Sequence, residues 1–247
     1  MLKTTYPYIL VENIVYTYPN GDKKVVEFKD PIEIREKGWV LHDDDLEVKT
    51  KTTESDVERN LIRSNKRAKR LIDDYIHSND FKYFVTLTYD PKKKYDFDIK
   101  NIIECMEDMQ RFCKRQKRLD QDFKFLLIPE LHKSGIVHWH GVLSFEILPI
   151  TNAGSHKIKG GINTQVYYFD NWKCGFSNMT KILSLTRTST YVSKYITKNM
   201  EVSLSHQRRY ICSKGLALPK VTYNIKSYLD GFKSYENGIC KITYINN

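Results

Sequence analysis

The sequence lacks several features that would fix its class at once. Its five cysteines, at 105, 113, 174, 212 and 240, are odd in number, and no C-x-x-C pair occurs among them. That excludes a disulfide framework and a zinc ribbon, and reads as reduced thiols in a cytoplasm. No stretch approaches the roughly 18 consecutive apolar residues of a membrane span, so no membrane association is read. The opening MLKTTYPYILVENIVYTYPNG has a short apolar run but no charged n-region and no small-residue cleavage site. It is therefore not read as a signal peptide. No G-x-x-x-x-G-K-S/T loop is present, which excludes a P-loop ATPase or helicase domain. No internal repeat or low-complexity tract breaks the chain.

What is present is basic and aromatic. The 247 residues suffice for one large domain or one domain with appendages. Hydrophobic residues make up 40% and charged residues 28%, as in ordinary soluble globular proteins. Lys and Arg number 40 against 30 Asp and Glu, a net charge of +10. An excess of that size favours a polyanionic partner, nucleic acid above all. Aromatics reach 13%, with 17 tyrosines.

Periodicity places the elements. Residues 5 to 50 read as short strands broken at PNGDKK, followed by a polar connection. Residues 55 to 78 have apolar positions at helical spacing, with Arg and Lys in the middle. This basic helix suits a position along DNA or a solvated face equally. FKYFVTLTYD (81–90) is a dense run of strand formers, and FDIKNIIECMEDMQRFCKRQKRL is an amphipathic helix. FKFLLIPEL and IVHWHGVLSFEIL read as two strands of a hairpin. Residues 149 to 174 lack a clear period and read as an inserted loop. GFSNMTKI reads as a strand, TRTSTYVSKYITKNM as a helix with Thr or Ser near its start, and the tail from Ser203 as short strand-like runs.

The hairpin carries chemistry where a core would be expected. Alternate residues of a strand share a face, so His138 and His140 point one way and Trp139 and Gly141 the other. Two imidazoles at that spacing are placed to share one metal ion. A three-residue loop with glycine in the left-handed position is a common hairpin connection. If Lys133-Ser134-Gly135 is that loop, His132 pairs with Ile136 and Glu130 pairs with His138. Glu130 is then on the histidine face as a third ligand, with His132 a more distant neighbour. A two- or four-residue loop would turn Glu130 away. An isolated His-x-His is also what two histidines on a solvated strand look like. On the helix near 191 to 198, residues four apart share a face, so Tyr191 and Tyr195 are adjacent, with Lys194 and Lys198 in a row beside them.

FVTLTYD (84–90), VHWHGVL (137–143) and YVSKYITK (191–198) occur in that order. Together they resemble the three motifs of HUH-type rolling-circle replication initiators (Rep endonucleases) of small phages and plasmids. The middle motif has the His-hydrophobic-His form, and the third holds Tyr-x-x-Lys twice, overlapping. RRYICSKGL in the tail is similar to the segment after the third motif in phage-type initiators, so the resemblance covers roughly 81 to 220.

The resemblance implies an α+β fold, a central antiparallel sheet of about five strands with helices packed on it. It implies an N-terminal β-rich extension of unknown role (1–55), the endonuclease domain (56–200) and a C-terminal tail packed on that domain (201–247). The implied reaction is site-specific nicking and joining of single-stranded DNA at a replication origin, inside a bacterial host cell. Glu130, His138 and His140 would bind a divalent ion, Mg²⁺ or Mn²⁺, although mixed N and O ligands also suit Zn²⁺. A tyrosine would attack phosphorus and form a 5′-phosphotyrosine. Tyr195 matches the nucleophile even where a family has one tyrosine, so it ranks first, with Tyr191 as its partner. Lys194 and Lys198 would stabilise charge on the phosphate or help to deprotonate the phenol. Without a helicase domain, a host helicase and polymerase are the implied partners. A two-tyrosine transposase of the same chemistry, and a non-catalytic nucleic-acid-binding module on the same fold, remain open.

Overall fold

The computed structural model describes residues 8–35, 54–157, 163–198, 209–225 and 233–245. It is α+β, with two antiparallel sheets, and divides into two units. One unit comprises 1–61 with 217–247, the other 62–216.

The first unit is a five-stranded sheet. β1 (Tyr8–Thr17) and β2 (Lys23–Arg35) form a hairpin whose turn is closed by a Tyr18 N–H bond to the Asp22 carbonyl, with Gly21 at φ 90°. The register shifts between Val11 and Asn13, and Pro31 of β2 falls in the stretch that this bulge leaves unpaired. A residue without an N–H is tolerated there because no ladder bond is lost. β10 (Lys220–Tyr223) adds to β1, and β12 (Cys240–Ile245) joins β2 to β11 (Lys233–Glu236). The segment 201–247, read from sequence as a single tail, is thus divided. β9 (Ile211–Cys212) lies on the other sheet, whereas the last three strands lie on this one.

The second unit holds the hairpin. Its strands are β3 (Tyr83–Tyr89), β4 (Lys124–Leu131), β5 (Val137–Ser144), β6 (Ile150–Lys157), β7 (Asn163–Phe169), β8 (Gly175–Lys181) and β9, in the order β6-β7-β8-β3-β5-β4-β9. Every pairing is antiparallel. The sheet is wider than the roughly five strands expected. The segment 149–174, read as a loop, contributes β6 and β7. A register shift between Asn152 and Gly154 breaks the two-residue period there, and β6 is polar throughout, so its pattern was hidden.

Three helices complete the described structure: α1 (Glu54–Ser78), α2 (Ile102–Leu119) and α3 (Leu185–Lys198). α2 starts at Asn101, whose side chain accepts from the Ile103 N–H. Its buried side, including Cys105, Met109 and Phe112, packs with Val85, Leu87, Leu127, Trp139 and Leu143 of the sheet. On the other face Ala68, Ile72 and Ile76 of α1 and Val192, Tyr195 and Ile196 of α3 pack with Leu126, Ile128 and Val142. Both helical sets follow the spacing of an apolar stripe. All five cysteines are free thiols. No described helix is long and apolar enough to cross a membrane.

Candidate active site

The β4–β5 turn is the three-residue loop. Gly135 has φ 81° and its N–H bonds the His132 carbonyl, while the His132 N–H bonds the Ile136 carbonyl. Only glycine adopts that conformation without strain. The register follows: Glu130 lies opposite His138, and Ile128 opposite His140. On the other side of β5, Thr88 lies opposite His138 and Thr86 opposite His140. One sheet face therefore carries Glu130, both histidines and both threonines. Behind them Trp139 is fully buried in the core. At Gly141 a Cβ would stand 1.9 Å from the Leu126 carbonyl oxygen, so the close approach of β4 requires glycine.

The side chains meet in pairs. His140 Nε2 and Glu130 Oε2 are 2.7 Å apart, and both residues are largely buried. His140 Nδ1 lies 3.1 Å from the Thr86 hydroxyl, and His138 Nδ1 lies 3.5 Å from that of Thr88. The His138 ring stacks on His132 with centroids 4.6 Å apart. Burial, and then His132, push the His138 pKa below its ordinary value, with Glu130 opposing. Glu130 and His140 are therefore in direct contact, with His138 beside them on the same face and turned toward His132. Among the described residues no three His, Cys, Asp or Glu side chains are gathered closely enough to enclose an ion as they stand.

α3 lays its tyrosines over this pair. The Tyr195 ring stacks on the His140 ring at 3.9 Å and 6°. The Tyr195 hydroxyl donates to the Tyr191 hydroxyl at 2.8 Å. Lys194 Nζ stands 3.6 Å from the Tyr191 ring centroid and 5.0 Å from that of Tyr195, a cation over both rings. The tyrosines differ in access: Tyr195 is 3% exposed and Tyr191 44%. Burial, followed by the bond to Tyr191, raises the Tyr195 pKa well above the ordinary phenol range. Lys198 ends α3, and its side chain lies outside the described residues.

Sequence reasoning missed three contributors. Thr86 and Thr88 sit within FVTLTYD and alternate as the histidines do, a signal available from spacing alone. Phe84 meets Tyr191 edge-on at 5.3 Å. A polar link fixes α3 to α1: the Ser189 hydroxyl donates to Asp73 Oδ1 at 2.6 Å, Asp73 Oδ1 is 3.2 Å from His77 Nδ1, and His77 Nε2 is 3.3 Å from the Thr186 hydroxyl. These positions are far apart in sequence, and no local pattern announces them.

Comparison with known families bears on the same segment. Residues 82–200 match the family model of the ORF2-type replication-associated proteins. That segment belongs to this family. The match is consistent with a rolling-circle replication initiator, and it runs from β3 through α3, so it contains every residue of the candidate site. Membership gives the segment a role in initiating replication and ties it to DNA at an origin. No curated protein and no solved structure matches the chain.

Proposed function

We propose that the protein is a metal-dependent endonuclease and strand transferase that nicks single-stranded DNA at a replication origin and remains joined to the 5′ end through tyrosine. The observation that supports this most directly is the stack of Tyr195 on His140, with the Tyr191 hydroxyl bonded to that of Tyr195. Two phenols and a His-Glu pair share one face of one sheet.

The donor set fits a divalent ion such as Mg²⁺ or Mn²⁺. Two imidazoles and a carboxylate share a face, and each Nδ1 faces a threonine hydroxyl, which leaves Nε2 as the ligating nitrogen. Glu130, His138 and His140 would hold it, with the His140–Glu130 bond exchanged for bonds to the ion. When bound, the ion supplies Lewis-acid polarisation of the scissile phosphate.

The chain's own groups do the rest. A phenol oxygen attacks phosphorus, the bond to the 3′ oxygen breaks, and the 5′ phosphate is left on tyrosine. The freed 3′-hydroxyl is the primer for a host polymerase, and a host helicase separates the strands. Tyr195 is the first nucleophile, because its ring lies against His140. Tyr191 is the phenol open to solvent, suited to a second strand arriving while the first is still attached. Lys194 favours negative charge on either oxygen. Lys198 belongs to the same lysine row of the sequence and serves the phosphate. The test is incubation with a labelled single-stranded origin oligonucleotide and Mn²⁺, followed by a denaturing gel and mass spectrometry of the linked peptide. A covalent adduct on the peptide holding both tyrosines is expected; its absence on every oligonucleotide from the neighbouring replicon overturns the reading.

A further inference from the structure

The site face does not stop at the histidines. Pairing across β4, β5, β3 and β8 aligns Glu130, His138, Thr88 and Phe176 in one row. Phe176 is thus two strands from His138, about 10 Å along the sheet. It is 53% exposed, and it meets Tyr168 of β7, itself 41% exposed, edge-on with centroids 5.7 Å apart. α3 packs over β4 and β5, and no described element covers these two rings. Asn178 follows Phe176 on the same face, opposite Thr86, and is half-exposed.

The surroundings are basic. Phe176 lies near the start of β8, beside the end of β3 and the β4–β5 turn. The connections at that end of the sheet carry exposed Lys92, Lys93, Lys94, Lys133 and Lys173, and Lys93 Nζ bonds the Lys173 carbonyl. A pair of large exposed rings beside a rim of lysines matches a base with its phosphates. An apolar protein partner would not need the lysines, and a phosphate alone would not need the rings.

We propose that Phe176 and Tyr168 form a stacking platform for an unpaired base of single-stranded DNA, one to two nucleotides from the phosphate held at the Glu130–His138–His140 site. This rests on the nicking function proposed above. The platform fixes which phosphate reaches the tyrosines, and Asn178 presents an amide to the edge of the stacked base.

The experiment measures binding of the full chain to a labelled single-stranded oligonucleotide of mixed sequence over a range of salt. Phe176→Ala and Tyr168→Ala should each weaken binding on the order of tenfold. The loss should be the same at every salt concentration, because stacking releases no counterions and leaves the salt slope unchanged. Phe176→Trp should restore affinity. A fluorescent adenine analogue placed along the oligonucleotide should be quenched at one position by the parent and not by Phe176→Ala. Both rings are exposed, so the variants should unfold at the parent midpoint; Phe176→Leu serves if the alanine variant does not fold. Unchanged affinity and quenching in the variants, with the parent still binding and cutting, overturns the platform alone. A change in oligomeric state without a change in DNA affinity also overturns it and makes the rings a protein contact. A parent that binds no single-stranded DNA overturns the nicking reading as well.

Discussion

β5 presents both kinds of sheet face within eight residues. On one side Val137, Trp139 and Leu143 are sealed under α2, with the only departure from bulk at Gly141, where β4 comes too close for a side chain. On the other side Val142 is sealed under α1 and α3, but His138 and His140 replace apolar residues and gather a carboxylate, two threonines and a tyrosine. The faces differ in what they cost. Burial of apolar surface stabilises the first, at roughly 25 cal/mol per Å². The second contains groups that must be hydrogen-bonded to be buried at all. The comparison separates residues that hold the sheet together from residues that the sheet holds in place.

Substitutions on the two faces should therefore fail differently. The largest effect is expected from His138→Ala with His140→Ala, which should abolish cleavage in Mn²⁺ while the protein still unfolds cooperatively; persistent cleavage would remove the metal site from the mechanism. Next comes the tyrosine pair. Tyr195→Phe should stop the first cleavage and the covalent adduct, whereas Tyr191→Phe should cut once and fail at strand transfer, as read from adduct formation on a labelled oligonucleotide. If the DNA is found on Tyr191 alone, the order is reversed, and exposure rather than proximity to His140 selects the nucleophile. On the opposite face, Trp139→Ala should lower stability by about 3–5 kcal/mol in urea unfolding, with cleavage per folded molecule little changed.

Two smaller effects sharpen the contrast. Thr86→Val keeps the shape but removes the hydroxyl at His140 Nδ1, and should weaken Mn²⁺ affinity by about 10–100-fold, measured by calorimetry. The His138 pKa is lowered from 6.5, chiefly by burial, so its contribution to stability is present above about pH 6.5 and is lost as pH falls through the lower folded value. His138→Gln should flatten the acid side of the melting profile in metal-free buffer; an unchanged profile would show that the ring is not confined there.

Much of this division could be read from the sequence. The H-x-H spacing, the loop length and the tyrosines four apart depend on local geometry, and each is a repeat of strand, turn or helix. The α+β architecture followed from strands and helices with clear periods. What escaped were relations between distant segments. β6 and β7 were missed because a bulge interrupts their alternation. The pairing of β10 and β12 with β1 and β2 joins segments with no local signal in common. The difference in exposure between Tyr191 and Tyr195 depends on where α3 crosses the sheet, which helical periodicity does not specify.

That long-range pairing has a kinetic consequence. In β2, Val26 is bonded to a strand whose partner residue is Ile242, whereas the strands β3 to β9 all come from the continuous segment 83–212. Closing so large a loop slows folding even where it costs little stability. During synthesis the catalytic sheet can be completed first, while β2 waits with one edge open. An unpaired edge is a template for other chains, so the five-stranded sheet is the part of the molecule from which aggregation would begin.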